Sequence, residues 1–193
     1  TGSIQRLNEQ SFDVSPELVE ALNAGKSHVD DLSDSDLVAM LDAGFEAVTG
    51  PSIITEADVI VICVPTPLSS DFTPDLSFVR AAARAVAENL QAGCLVVLES
   101  TTYPGTTEDV VKPILEEGSG LTAGIDFALA YSPERTDPGN PNYGLRNTPK
   151  VVGGLTAECT NSAIEFYGKL VDTVVPTVGI REAELSKLLE NTY

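Results

Sequence analysis

Short runs of β-branched and aliphatic residues alternate along this chain with longer segments whose apolar positions recur at three-and-four spacing. That is the pattern of a parallel sheet covered by helices. Val59–Val64 and Cys94–Leu98 are continuous apolar runs, too short for helices and bounded by turn residues, and they predict central strands. Phe127–Tyr131 and Lys150–Val152 are weaker strand candidates, and Thr173–Val175 is a further short one. Phe12–Val14 and Phe45–Val48 predict two more short strands, the second near a sheet edge. Helices fall between them: Pro16–Ala24, with Ser15 as N-cap and Gly25 as stop, and Asp34–Ala43, ending at Gly44. Asp75–Gln91 is the strongest helix, because Leu76, Val79, Ala83, Val86 and Leu90 share one face. Thr106–Glu117 and Thr156–Leu170 follow. Glu182–Tyr193 opens another helix, with Leu185, Leu188 and Leu189 apolar, and its pattern is still running at the last residue. Ser132–Pro149, rich in Pro, Gly and Asn, is the long irregular stretch, and a loop of that length in a compact domain is usually functional.

At 193 residues and 42% hydrophobic, the chain can bury one domain core with a short appendage. It holds no uncharged apolar run of about eighteen residues, and Thr1–Gln10 is polar rather than basic-then-apolar, so no membrane association and a cytoplasmic location are expected. The 29 Asp plus Glu against 11 Lys plus Arg give a formal charge of −18, a surface that repels nucleic acid. The excess is spread along the chain and reads as a solvated shell. Halophilic origin, with salt screening the self-repulsion, is one explanation, and an ordinary acidic enzyme is another. Cys63, Cys94 and Cys159 lie in apolar runs at unpatterned spacings, with His28 the single histidine. Buried free thiols and no metal site are the expectation.

In an open parallel sheet, ligands bind beyond the carboxyl ends of the strands, so the residues following each strand are the candidates. After Val64 come Pro65, Thr66 and Pro67, a stiff loop carrying one hydroxyl. After Leu98 comes Glu99-Ser100-Thr101-Thr102-Tyr103-Pro104-Gly105-Thr106-Thr107, a hydroxyl-rich turn that enters a helix, whose free amides would suit a phosphate or a developing oxyanion. After Tyr131 comes Ser132-Pro133-Glu134-Arg135, which puts a carboxylate on the same edge. Each run alone also reads as a helix cap or a solvated loop. Asp13, past the first short strand, either accepts hydrogen bonds from a ribose or helps Ser15 begin its helix.

Five runs, in order, resemble the UDP-glucose/GDP-mannose dehydrogenase family: Val64-Pro-Thr-Pro67, Glu99–Thr107, Ser132–Arg135 with Asp137–Asn140, Pro149–Gly154, and Glu184–Tyr193. The similarity runs from about Phe12 onward, and Ser-Pro-Glu-Arg followed by Asp-Pro-Gly-Asn is closest to members that oxidise UDP-N-acetylhexosamines to uronic acids for surface polysaccharides. The resemblance implies a two-step oxidation of a UDP-sugar at C6 with NAD as cofactor and a cysteine thiolate that traps the aldehyde. By motif, Glu134 handles the proton or water of hydrolysis with Thr101, while Lys187 and Asn191, four apart on one helix face, hold the oxyanion and substrate. Val64, Pro65, Thr66, Ser100, Thr101 and Glu134 line the NAD site, Asp13 meets its adenosine ribose, and Arg135 either binds substrate or pairs with Asp137.

Two departures follow from the same resemblance. Family members open with a glycine-rich GxGxxG turn, of which nothing precedes Phe12 here but Gly2, and its absence is expected to weaken NAD binding. The family's catalytic cysteine lies in a later domain, and none of Cys63, Cys94 and Cys159 matches its motif, so the chain alone is expected to be inactive. A non-catalytic truncated module that folds or self-associates is the alternative. The expected architecture is α/β: a Rossmann-like parallel sheet with helices on both faces, its first βα unit missing. A tag remnant or truncated leader over 1–11 precedes an NAD-binding domain over 12–180 and the start of a central linker and dimerisation helix over 181–193, which implies a homodimer.

Overall fold

In the computed structural model, residues 16–28, 32–69, 73–134 and 146–190 are described. They fall into two compact units, Thr1–Ala57 and Asp58–Tyr193.

In the first unit, α1 (Pro16–Asn23) and α2 (Asp34–Asp42) enclose a small core of Leu22, Leu37 and Ala47. Ser33 and Asp36 close a reciprocal capping box at the start of α2, satisfying amides that a helix leaves open. A 3-10 turn covers Pro51–Glu56. The strand expected over 45–48 does not form there. Ala47 donates its N–H to Asn23 Oδ1 and accepts from Asn23 Nδ2, both at 2.9 Å, so a side-chain amide takes the place of a neighbouring strand. The strand expected at Phe12–Val14 lies outside the described residues.

The second unit carries a five-stranded sheet in the order β1 (Val59–Ile62), β2 (Leu95–Leu98), β3 (Ala128–Tyr131), β4 (Lys150–Gly154), β5 (Val174–Pro176). Strands β1, β2 and β3 are parallel, and so are β4 and β5. The β3–β4 pair is antiparallel, a reversal within an otherwise parallel sheet. Alternate residues of β2 point to opposite faces, and Leu95, Val96, Val97 and Leu98 are all buried, so this strand is covered on both sides.

Helix α3 (Ser77–Ala87) presents Val79, Ala83 and Val86 inward, with Leu76 and Leu90 buried just beyond its ends, as the three-and-four spacing predicts. Helix α5 (Ala157–Tyr167), capped by Thr156, buries Ala163 and Tyr167 against Leu95, Val97, Ala130 and Val152. Strand β4 ends in two glycines because two helices press on its opposite faces. A Cβ on Gly153 would collide with the Gly179 carbonyl just before α6 (Ile180–Glu190), and one on Gly154 with the Thr160 amide of α5.

The helix expected over 106–117 is interrupted. Thr107–Val111 forms a wider π turn before α4 (Lys112–Ser119), and turns of that kind concentrate at functional positions.

Candidate functional site

The carboxyl ends of the three parallel strands β1, β2 and β3 meet at one rim, and short polar links fix their loops to each other. Ser100, buried after β2, accepts the Val64 N–H at 2.9 Å and donates to the Val64 carbonyl at 2.8 Å. These two residues therefore spend those polar groups on holding the β1 and β2 loops together. Thr66 continues the clamp by donating its hydroxyl to the Thr101 carbonyl at 2.7 Å. Pro65 and the Thr101 side chain stay exposed. The third loop is anchored by Ser132, fully buried, whose N–H reaches the Leu98 carbonyl at 3.1 Å and whose hydroxyl reaches the Val151 carbonyl at 2.8 Å. That anchor sets Glu134, two residues on, at the rim with its side chain 44% exposed.

Beneath Glu134 lies a polar cluster. Lys150, the first residue of β4, places its ammonium 2.9 Å from Glu99 Oε1 and 3.4 Å from Glu134 Oε2. Tyr167 donates its hydroxyl to Glu99 Oε1 at 2.5 Å, and Cys63 donates its thiol to Glu99 Oε2 at 3.4 Å. Desolvation first, and the Glu99 charge second, push the Tyr167 hydroxyl and the Cys63 thiol far above their ordinary ranges. Cys63 is exposed as a residue, but its sulfur is a protonated donor and not a poised thiolate. Cys94 and Cys159 are buried and free, as their apolar surroundings predict, whereas Cys63, expected to be buried as well, is exposed because it follows the last residue of β1.

A second carboxylate closes the turn after Thr101. Glu184 of α6, fully buried, accepts the Gly105 N–H at 2.5 Å, the Thr107 N–H at 2.9 Å and the Thr107 hydroxyl at 2.7 Å. Gly105 turns its amide that way with φ +99°, a left-handed conformation that favours glycine. Burial raises the Glu184 carboxyl above the usual range, and the hydrogen bonds partly oppose it. This arrangement corrects one expectation: the amides of Gly105 and Thr107 are not free for a phosphate, because the protein's own carboxylate occupies them. Lys187, three residues on in α6, is mostly covered and lies 3.6 Å from Glu190 on the same helix.

The NAD binding domain of the UDP-glucose/GDP-mannose dehydrogenase family matches residues 9–171. The chain belongs to that family. Its matched part is an NAD-binding domain, and NAD is its cofactor. The chain is 36% identical over 94% of its length to the UDP-N-acetyl-D-mannosamine dehydrogenase of Pyrococcus horikoshii, and 34% identical over 94% to that of Escherichia coli. It spans 44% of each of those relatives, less than half their length. The crystal structure of an NDP-N-acetyl-D-galactosaminuronic acid dehydrogenase from Methanosarcina mazei superposes with a TM-score of 0.86 at 35% identity, covering 97% of this chain and 40% of that one. A GDP-mannose dehydrogenase from Pseudomonas aeruginosa gives 0.82 at 26% identity, covering 93% of this chain and 42% of that one.

Within this dehydrogenase domain, the structure brings together Val64, Pro65, Thr66, Ser100, Thr101 and Glu134. Lys187 stands on α6, and Asp13, Arg135 and Asn191 lie outside the described residues. Glu99, Lys150, Tyr167 and Glu184 join the site only through the fold. Glu99 and Glu184 stand inside motifs already singled out, and their signal is a carboxylate at the end of a buried strand or facing a core. Lys150 opens an apolar strand, where a charge needs a partner. No helix among the described residues is long and apolar enough to cross a membrane.

Proposed function

We propose that this chain is the NAD-binding portion of a nucleotide-sugar 6-dehydrogenase that converts a UDP-N-acetylhexosamine to its uronic acid for surface polysaccharide, and that the chain alone does not turn over. The observation that carries this is the clamped rim, where the Thr66–Thr101 hydrogen bond of 2.7 Å joins the β1 and β2 loops and the Ser132 N–H, 3.1 Å from the Leu98 carbonyl, ties the β3 loop to β2 with Glu134 two residues on. Such rims at the carboxyl ends of parallel strands are where dinucleotides lie. The names of the UDP-N-acetyl-D-mannosamine dehydrogenase relatives support the substrate class.

The rim residues fit the nicotinamide end of NAD. Pro65, Thr66 and Thr101 offer a rigid surface without charge, and Thr101, an exposed residue, carries a hydroxyl for a ribose or carboxamide. The diphosphate is not received at the turn after Thr101, since Glu184 already fills it. NAD, when bound, supplies the hydride acceptor. Glu134 takes the proton of the hydrolytic water, assisted by Thr101, Lys187 and Asn191 hold the oxyanion and the sugar, and Asp13 and Arg135 meet the ribose and the substrate. The test is stoichiometry. A longer form of this protein that includes the family's cysteine domain should yield two NADH per molecule of UDP-N-acetylmannosamine, whereas one NADH, or none with any UDP-N-acetylhexosamine, contradicts the proposal.

The chain also forms a homodimer in this reading, because Leu185, Leu188 and Leu189 of α6 stand 45%, 36% and 53% exposed. Truncating that face to alanine should shift sedimentation velocity toward the monomer. A clean monomer of the unaltered chain at high concentration is the contrary result.

A further inference from the structure

Lys150 is a charged residue built into the sheet. It opens β4, pairs in parallel register with Val174, and leaves its side chain only 8% exposed. Burying an ammonium is costly unless its hydrogens are met, and here they are met unevenly. From behind, Glu99 at 2.9 Å and the Tyr167 ring, with its centroid at 5.2 Å, fix the amine. Both oxygens of the Glu99 carboxylate are engaged: one receives Lys150 and Tyr167, the other receives Cys63. The remaining partner, Glu134 at 3.4 Å, is the exposed carboxylate of the two, 44% against 12% for Glu99.

We propose that Lys150 is a positioning residue for Glu134: its ammonium, locked by Glu99 and Tyr167, holds the Glu134 carboxylate at the rim in its ionised, proton-accepting form. The proposal rests on the reading of Glu134 as the group that takes the proton of the hydrolytic water, and adds how that group is kept ready. A fixed positive charge within about 4–6 Å lowers a carboxylate's pKa by roughly 1–3 units. A lysine serving only to neutralise Glu99 would have no reason to reach the β3 loop as well. The titratable groups facing Glu134 in this cluster are Lys150 from β4, Glu99 from the end of β2, Cys63 from the end of β1 and Tyr167 from α5. Tyr167 and Cys63 are held protonated through the neutral range, so the ammonium and the two carboxylates carry the local charge.

The experiment follows the Glu134 carboxyl carbon by NMR in the 193-residue chain labelled with side-chain carbon-13 glutamate, with the resonance assigned by Glu134→Gln. Because Lys150→Met alone leaves Glu99 buried without its cation, the decisive comparison is Glu99→Gln/Lys150→Met against Glu99→Gln. Removing Lys150 should raise the Glu134 midpoint by about one pH unit, a tenfold tighter hold on its proton, and Glu99→Gln/Lys150→Arg should restore it. A rise of less than about half a unit, or arginine behaving like methionine, overturns the proposal. The titration uses neither cofactor nor sugar, so it stands or falls separately from the NADH stoichiometry that tests the dehydrogenase reading.

Discussion

Replacing Glu99 by leucine is expected to destabilise the second unit by about 3–5 kcal/mol, the range found when one member of a buried ion pair is removed. Leucine fills most of the volume, but Lys150 is left 8% exposed with Glu134 as its remaining carboxylate in the cluster. The Tyr167 hydroxyl and the Cys63 thiol lose their acceptor at the same stroke. In urea, with a slope of roughly 1–3 kcal/mol per molar, the midpoint should fall by about 2 M. Glu99→Leu/Lys150→Met should recover most of the loss, since removing both charges removes the desolvation problem along with the attraction. A single variant that unfolds within about 1 kcal/mol of the parent would mean the cluster is hydrated and unimportant to the fold.

The second large effect is expected at Glu184. Its carboxylate satisfies three donors at the turn after Thr101, all buried, and each donor left without a partner costs about 1–3 kcal/mol. Glu184→Ala should therefore lose about 3–5 kcal/mol, with the Gly105 and Thr107 amides exchanging with solvent far faster than in the parent. The pH dependence has a definite sign. Burial raises the Glu184 carboxyl in the folded chain above its ordinary value of 4.5, so its contribution is complete below that value and declines as the pH rises through the folded one. The cost of Glu184→Ala should accordingly be larger in mild acid than at neutral pH. Unchanged amide exchange at Gly105 and Thr107 would remove Glu184 from the turn.

The same residues show how far the sequence could be read. Central strands were legible because Val59–Ile62 and Leu95–Leu98 are buried enough to leave an uninterrupted apolar record, and α3 because its apolar face repeats at helical spacing. The run over 45–48 carries a similar local signal, yet Ala47 in its middle gives its N–H and its carbonyl to the Asn23 side chain, a partner 24 residues away that no window of neighbouring residues contains. The rim loops were found because they follow strands and match a family's motifs. The groups that brace them were not, for an electrostatic reason. A glutamate or lysine in sequence looks solvated by default, and only the fold brings Lys150 within 2.9 Å of Glu99, or α6 to the turn after β2. For the same reason the turn after Thr101 looked like an open anion site, when its anion is Glu184, 77 residues away in the chain.

The proposed seat of NAD is the rim formed by the β1, β2 and β3 loops, and backbone amide shifts of the 193-residue chain during NAD titration report on it residue by residue. Saturable shifts concentrated at Thr66, Thr101 and Ser132–Glu134, and absent from the helical groove lined by Arg80, Arg84 and Glu117, are expected. Shifts that spare the rim while appearing elsewhere on the molecule would contradict it.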